Sequence, residues 1–278
     1  MKKEFEPSNF PIAAFDLDDT LLFEGNMSPA VEDALARLRQ SGTITVISSG
    51  RDGQQLSSFL LEKFDYVVAN SGATIFCSKT NEFFSADPFQ KEDLLSAQNT
   101  IEQCGGESVL FLWEEMRASE KCIPRLFNYV YDENGKAVFS YKTLTSPSLP
   151  EFIREDDRPV YKIKTFFLTE DDCRKAETIL LNDGRVEVQP MPGHSLEIQA
   201  KGITKAAGLK KLAALLGYSE KNIVAFGDSR NDLEMILLAG YSVVMSNGSD
   251  EVKQYADYIA EDVRDDGAAK AILDLYRL

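Results

Sequence analysis

Short, largely apolar runs recur in the first ninety residues and again beyond residue 220, and each run ends in small polar or acidic side chains. Such runs, without polar alternation, are typical of strands buried on both faces of a parallel sheet. The clearest span residues 12–15, 43–47, 66–69, 223–226 and 241–245. Segments with apolar residues at helical spacing lie between them. The alternation predicts an α/β fold whose core is a doubly wound, mainly parallel sheet.

Helix signals support this interpretation. Ser28 followed by Pro29 is a typical helix start, and the apolar stripe after it ends before Gly42. We expect a second helix at about residues 54–64 and another from Lys205 to about Leu216. A hairpin is expected at residues 73–85, with its turn at residues 79–81.

The segment 87–193 interrupts this pattern. It carries mixed helix and strand signals, without the polar residues that close the other strands. We expect helices at 91–103 and 170–181, and strands at 109–113, 137–141, 161–168 and 186–188. Proline and glycine at both ends, including Pro88 and Gly193, are typical of hinges. The predicted organisation is a core formed by residues 1–86 and 194–278, with an inserted α/β domain at 87–193. Residues 195–198 are then the strand with which the core resumes.

Composition narrows the possible functions. The formal net charge is −15, which disfavours nonspecific binding to nucleic acid because such binding needs a basic surface. No apolar stretch approaches the roughly 20 residues of a membrane helix, and the first residues lack a signal peptide's apolar region. We therefore expect a cytoplasmic protein with no membrane partner, monomeric or weakly self-associating. An anionic substrate would need local positive charge at its site.

A single histidine limits the chemistry. His194 alone cannot form a multi-histidine metal centre, and it is expected to lie at a hinge or on the surface. Carboxylates are then the natural catalytic groups. Three of them, Asp16, Asp18 and Asp19, directly follow the first strand. Because clustered carboxylates repel one another, either a divalent cation such as Mg²⁺ joins them or they form an acidic surface turn.

Four short motifs now stand in order along the chain. They are DLDDT at residues 16–20, Ser49 in ISSGR, Lys205 in GITK, and GDSRND at residues 227–232. Together they resemble the four motifs of the haloacid dehalogenase (HAD) superfamily of phosphohydrolases. The insertion between the second and third motifs resembles the Cof-type subgroup, which carries a large α/β cap. NSGA at 70–73, LEI at 196–198 and the segment 245–267 are also similar to that subgroup.

The resemblance implies specific roles. Asp16 would be the nucleophile that forms an aspartyl-phosphate, and Asp18 would be the general acid and then the general base. Asp16 and Asp228 would bind Mg²⁺ through their side chains, and Asp18 through its backbone carbonyl. Asn231 and Asp232 would support that metal shell.

Phosphate and substrate contacts follow from the same resemblance. Ser49 and Lys205 would hold the phosphoryl oxygens, and Lys205 would supply the local positive charge. Asn70 is a possible substrate contact that could equally satisfy a turn. Arg51 could steer phosphate or simply cover the helix that it begins.

The predicted function is Mg²⁺-dependent hydrolysis of small phosphorylated metabolites, with sugar phosphates as the default class and the cap as the source of specificity. A phosphosugar mutase of the same superfamily is an alternative, and so is a noncatalytic protein that binds phosphorylated metabolites. Three positions depart from the subgroup's pattern, where glycine is common: Asp19, Ala206 and Ser246.

Overall fold

The computed structural model describes residues 4–56, 58–113, 115–122 and 143–278. These form two compact units. The first contains residues 4–50, 58–85 and 204–278, and the second contains residues 51–56 and 86–203 within the described ranges.

The strands, numbered in chain order, are β1 (Ile12–Phe15), β2 (Leu22–Phe23), β3 (Asn26–Met27), β4 (Ile44–Ser48), β5 (Tyr66–Ala69), β6 (Thr74–Cys77), β7 (Phe83–Ala86), β8 (Glu107–Phe111), β9 (Met116–Ser119), β10 (Thr143–Ser146), β11 (Lys162–Phe166), β12 (Val186–Met191), β13 (Ser195–Ala200), β14 (Ile223–Gly227), β15 (Tyr241–Met245) and β16 (Tyr258–Ala260). The α-helices are α1 (Pro29–Gln40), α2 (Ser58–Leu61), α3 (Lys91–Gln103), α4 (Leu149–Glu155), α5 (Glu170–Asp183), α6 (Lys205–Leu215), α7 (Leu233–Leu238), α8 (Asp250–Lys253) and α9 (Gly267–Tyr276).

The first unit is built on an eight-stranded sheet in the order β16-β15-β14-β1-β4-β5-β6-β7. The strands from β16 to β5 run parallel to their neighbours, and β6 returns antiparallel to β5. Phe15 at the end of β1 stands level with Ile47 on β4 and Phe226 on β14. The carboxyl ends of these three strands therefore lie side by side. This sheet confirms the predicted fold class.

Helices cover this sheet in the way that the sequence pattern predicts. Helix α1 begins where the Ser28 side chain accepts a hydrogen bond from the Val31 amide. Its stripe of Val31, Leu35 and Leu38 is buried. Helix α6 packs Leu209 against the strands, within an apolar core that also includes Ile12, Val46 and Ile223 from β1, β4 and β14.

The second unit has a six-stranded sheet in the order β10-β9-β8-β11-β13-β12. Strands β9, β8, β11, β13 and β12 pair antiparallel in succession, and β10 runs parallel to β9. Its core joins Ile163 and Ile198 of the sheet to Leu94, Ile153 and Leu180 on α3, α4 and α5. The second unit is therefore an α/β domain with its own hydrophobic core.

The sequence placed the second boundary between the domains too early. Ser195–Ala200 is not a core strand: it pairs antiparallel with β11 and β12, and the division falls between Ile203 and Thr204. Gly193 and His194, both with positive φ, form the turn of the β12–β13 hairpin instead of a hinge. A turn and a hinge both select glycine and proline, so composition alone does not distinguish them.

Other predicted elements differ in length. The expected helix at 54–64 is a 3₁₀ turn at Gly53–Gln55 followed by the four-residue α2. The strand expected at 109–113 is β8, which begins two residues earlier. The strand expected at 137–141 lies outside the described residues. None of the helices in the described ranges combines the length and apolar character that crossing a bilayer requires.

Candidate active site

Two acidic residues stand at the ends of the central strands. Asp16 follows β1 and is held against the neighbouring strand, since its amide donates to the Phe226 carbonyl at 2.9 Å. Asp228 directly follows the last residue of β14. Both side chains are buried, with exposed fractions of 5% and 8%. The parallel register therefore brings together two acids that are far apart in sequence.

Lys205 joins this pair at the first residue of α6. The helix start is fixed by Thr204, whose side chain accepts a hydrogen bond from the Ala207 amide. The Lys205 Nζ atom lies 2.7 Å from Asp16 Oδ1 and 2.7 Å from Asp232 Oδ1. Lys205 is only 3% exposed, so it is a buried cation between two carboxylates.

Asp232 braces the turn that carries Asp228. Its Oδ2 atom accepts hydrogen bonds from the amides of Asp228, at 3.0 Å, and Ser229, at 3.1 Å. Gly227 makes room for this side chain, because a Cβ there would lie 2.7 Å from Asp232 Cβ. With Oδ1 bonded to Lys205 and Oδ2 to two amides, Asp232 fits a supporting position better than a direct metal ligand.

The surroundings shift the pKa values of Asp16, Asp228 and Lys205. Desolvation and the neighbouring Asp232 raise the pKa of Asp16 to about 8, although Lys205 acts in the opposite direction. Desolvation and Asp232 likewise raise the pKa of Asp228 to about 7. Burial alone would lower the pKa of Lys205, but Asp16 and Asp232 outweigh burial, and the net shift is upward. Lys205 therefore remains charged. Asp16 and Asp228, in contrast, have too little positive charge around them to keep their ordinary pKa values.

A divalent cation fits this imbalance. Oxygen atoms of Asp16, Asp228 and Asp232 lie within 4.8 Å of one another. Three carboxylates and one ammonium leave two excess negative charges, which one Mg²⁺ ion would neutralise. In the described part of the chain, hydrogen bonds engage one oxygen each of Asp16 and Asp228 and leave the other oxygen for a metal. An all-oxygen donor set is the type that Mg²⁺ prefers.

Asp18 and Thr20 both follow β1 but differ in exposure. Asp18 is exposed, two residues beyond the buried Asp16. Thr20 is fully buried, and its hydroxyl donates to Asp228 Oδ1 at 3.0 Å. The sequence assigned no role to Thr20, although it is the last letter of the DLDDT motif. The motif includes Thr20, but the hydrogen-bond partner of Thr20, Asp228, lies 208 residues away in the sequence.

Ser49 and Asn70 lie at the ends of the next two strands. Ser49 follows β4 and is buried; its amide donates to the Val68 carbonyl, and its carbonyl accepts from the Ser71 amide. Asn70 follows β5, is fully buried and has a φ of 51°. Arg51 falls in the second compact unit.

Two further polar residues stabilise the surrounding turns. Asn231 is half-buried, and its Oδ1 atom accepts from the Ser229 hydroxyl at 2.5 Å. The Asn247 side chain donates from Nδ2 to the Asp19 backbone carbonyl at 2.8 Å, while its Oδ1 atom accepts from the Val263 backbone amide at 2.9 Å. Asn247 thus ties the acidic turn to a distant segment.

The chain belongs to the family of haloacid dehalogenase-like hydrolases, whose family model matches residues 13–272. Together with the fold and the site, this match confirms the resemblance to Cof-type phosphatases of the HAD superfamily, and the protein is a phosphatase enzyme of that superfamily.

Named relatives agree with this assignment. The chain is 41% identical, over 98% of its length and 98% of the relative's, to the 5-amino-6-(5-phospho-D-ribitylamino)uracil phosphatase YcsE of Bacillus subtilis. It is 35% identical to a phosphoglycolate phosphatase of Methanosarcina acetivorans, over 51% of this chain and 70% of that protein. A solved structure of the HAD subclass IIB sugar phosphatase BT4131 superposes with a TM-score of 0.79 at 19% identity, covering 96% of this chain and 99% of that chain.

Proposed function

We propose that the protein is a Mg²⁺-dependent phosphatase of small phosphomonoesters that acts through an aspartyl-phosphate on Asp16. The observation that supports this most is the buried cluster of Asp16, Asp228, Asp232 and Lys205, in which a single lysine ammonium bonds to two of three neighbouring carboxylates. Such a cluster gains stability from a divalent cation and offers a carboxylate nucleophile beside a fixed positive charge.

Asp16 attacks phosphorus with one carboxylate oxygen. The new O–P bond forms as the ester P–O bond breaks, and the leaving oxygen departs on the opposite side. Asp16, Asp228 and the Asp18 backbone carbonyl would hold Mg²⁺, which when bound would neutralise negative charge on the phosphoryl group. Lys205 keeps its positive charge, since its pKa is raised, and it stabilises the ionised form of Asp16.

Asp18 carries the proton in both half-reactions. It gives a proton to the leaving alkoxide in the first step and takes one from the attacking water in the second. Water then displaces Asp16 from phosphorus, which releases orthophosphate and restores the carboxylate. The exposed position of Asp18 suits this exchange, because the water that returns its proton comes from solvent.

Ser49 and Lys205 hold the phosphoryl oxygens as negative charge shifts during transfer. Asn231 and Asp232 keep the Asp228 turn in place. Asn70 and Arg51 are assigned to substrate contacts beyond the phosphoryl group. The second unit, an α/β domain inserted in the chain, supplies specificity for the leaving group.

Sugar phosphates and related polyol phosphates are the proposed substrate class. The relative that is 41% identical is named for a substrate whose phosphate sits on a ribityl chain, and a structural relative is named a sugar phosphatase. Both names describe a phosphate on a short polyhydroxylated carbon chain.

Release of p-nitrophenol from p-nitrophenyl phosphate, with Mg²⁺ and with EDTA, tests the proposal. We expect Mg²⁺-dependent turnover, inhibition by beryllofluoride, and hydrolysis of 5-amino-6-(5-phospho-D-ribitylamino)uracil or a sugar phosphate in a screen of phosphorylated metabolites. No metal-dependent release above background would instead favour a noncatalytic binding protein.

A further inference from the structure

Three consecutive residues with positive φ follow strand β5. They are Asn70 at 51°, Ser71 at 55° and Gly72 at 109°. Non-glycine residues rarely adopt this conformation, and strained backbone persists only where the surrounding structure enforces it. Asn70 is also fully buried, and its side-chain oxygen accepts no hydrogen bond within the described part of the chain. We refer to Asn70–Gly72 as the β5 turn.

On one side, the β5 turn holds the end of strand β4. The Ser71 amide donates to the Ser49 carbonyl at 3.0 Å, and the Ser49 amide donates to the Val68 carbonyl at 2.9 Å. The backbone of Ser49 is therefore bonded in both directions to β5 and its turn. Any shift of this turn is transmitted to Ser49.

On the other side, the β5 turn packs directly against the start of helix α6. A Cβ on Gly72 would lie 2.1 Å from the Thr204 carbonyl oxygen. A Cβ on Gly208, one turn into the helix, would lie 2.9 Å from Gly72 Cα and 2.6 Å from a methyl carbon of Val68. Glycine at both positions allows this approach. Because Thr204 and Gly208 both contact Gly72, the contact sets the position of Lys205, which lies between them on the helix.

We propose that the β5 turn is a positioning element that fixes Ser49 and Lys205 relative to each other, with Gly72 as its key residue. This inference rests on the proposed function, in which both side chains hold the phosphoryl group. The turn does not itself react. It couples one strand end to one helix start, so that two groups 156 positions apart in the sequence act on the same phosphoryl oxygens.

The test compares Gly72→Ala with Gly217→Ala. Gly217 lies just beyond the other end of α6 and also has positive φ, at 82°, but a Cβ there meets no atom within 4 Å. The two variants therefore share the conformational strain and differ in the clash. We expect Gly72→Ala to lower kcat/KM for p-nitrophenyl phosphate by about 100-fold, because displacing a catalytic group by about 1 Å costs a factor of that size. Gly217→Ala should stay within about threefold of wild type, since its side chain enters open space.

Three readouts separate positioning from simple destabilisation. The unfolded fraction of Gly72→Ala, measured by circular dichroism at the assay temperature, should be too small to account for the loss of kcat/KM. The loss should also be the same factor for p-nitrophenyl phosphate and for a sugar phosphate, because Ser49 and Lys205 contact the phosphoryl group that both share. Orthophosphate, titrated calorimetrically into the Mg²⁺-loaded protein, should bind Gly72→Ala more weakly than wild type.

Gly208→Ala gives a second route if Gly72→Ala does not fold. The added methyl group clashes with Gly72 from the helix side of the same contact. Alanine otherwise favours helix formation at this position. Wild-type activity in Gly208→Ala, or equal activity in Gly72→Ala and Gly217→Ala, would overturn the inference. A wild-type protein without Mg²⁺-dependent activity would instead refute the proposed function, so the two failures are distinguishable.

Discussion

Lys205 and Asp16 form a buried ion pair, with Lys205 Nζ at 2.7 Å from Asp16 Oδ1, although 189 positions separate them in the sequence. The same ammonium lies 2.7 Å from Asp232, so Lys205 is shared between two carboxylates. In a chain of net charge −15, this buried ammonium supplies part of the local positive charge that an anionic substrate needs, and a divalent cation would have to supply the rest.

Replacing Lys205 tests this pairing. Lys205→Ala leaves buried carboxylates without their counter-ion, and breaking a buried pair in this way costs about 3–5 kcal/mol of unfolding free energy. We expect a loss of this size in the metal-free protein at pH 8, together with a fall in kcat of about 10²–10³-fold. Urea unfolding and steady-state kinetics measure the two effects. Lys210→Ala, at an exposed position of the same helix, is the control, and equal behaviour of the two variants would contradict the assignment.

The roles of Asp16 and Asp18 separate in the pre-steady state. With Asp18→Asn, p-nitrophenol is a good enough leaving group to depart without a general acid, but the aspartyl-phosphate then lacks its base. We expect a burst of about one equivalent of p-nitrophenol per protein, followed by slow turnover. Asp16→Asn should give neither burst nor turnover while keeping the native circular dichroism spectrum. Near-normal activity of Asp16→Asn would exclude the covalent mechanism.

Thr20 is expected to strengthen Mg²⁺ binding through its hydrogen bond to Asp228. Thr20→Val keeps the shape of the side chain but removes the hydroxyl that donates to Asp228 Oδ1. Loss of a partner behind a metal ligand usually weakens metal binding by about 10–100-fold, and calorimetric titration with Mg²⁺ should show a decrease in this range. Thr20→Ser retains the hydroxyl and should bind Mg²⁺ nearly as wild type does. Equal affinities of the two variants would mean that this hydrogen bond has no influence on the metal.

The acidic cluster predicts how stability depends on pH. The pKa of Asp16 is raised to about 8 and that of Asp228 to about 7, from an ordinary value of 3.8. Between about pH 4 and pH 8 the folded, metal-free protein thus binds more protons than the unfolded chain, so its unfolding free energy falls as the pH rises. We expect its Tm to decrease between about pH 6 and pH 8, and Mg²⁺ to raise Tm more at the higher pH, because metal binds the deprotonated carboxylates.

Asp228→Asn provides the control for this pH effect. It removes one buried like charge, so the metal-free protein at pH 8 should gain about 1 kcal/mol or more of unfolding free energy, since each unit of pKa shift corresponds to about 1.4 kcal/mol. The stabilisation by Mg²⁺ should largely disappear. A shift of Tm by Mg²⁺ that is equal at both pH values, or that persists in Asp228→Asn, would argue against this cluster as the metal site.

Local sequence signals were sufficient for the central strands of the first unit. Buried parallel strands need apolar side chains on both faces, and this requirement makes Ile12–Phe15 and Ile223–Gly227 recognisable without a structure. The fold class and the family were therefore predictable from the chain alone. The second unit was harder to predict from the sequence. Ser195–Ala200 has the composition of a strand in either domain, and only its pairing with β11 and β12 shows to which domain it belongs.

The sequence by itself determined the chemical groups of the site, because a carboxylate, a hydroxyl and an ammonium at the ends of strands and at a helix start are local features. Tertiary structure alone decided which of them meet. The sharing of Lys205 between Asp16 and Asp232, the bond from Thr20 to Asp228 and the close approach of Gly72 to Thr204 depend on strand order and on packing distances. Those quantities arise from contacts between residues far apart along the chain, and no local pattern encodes them.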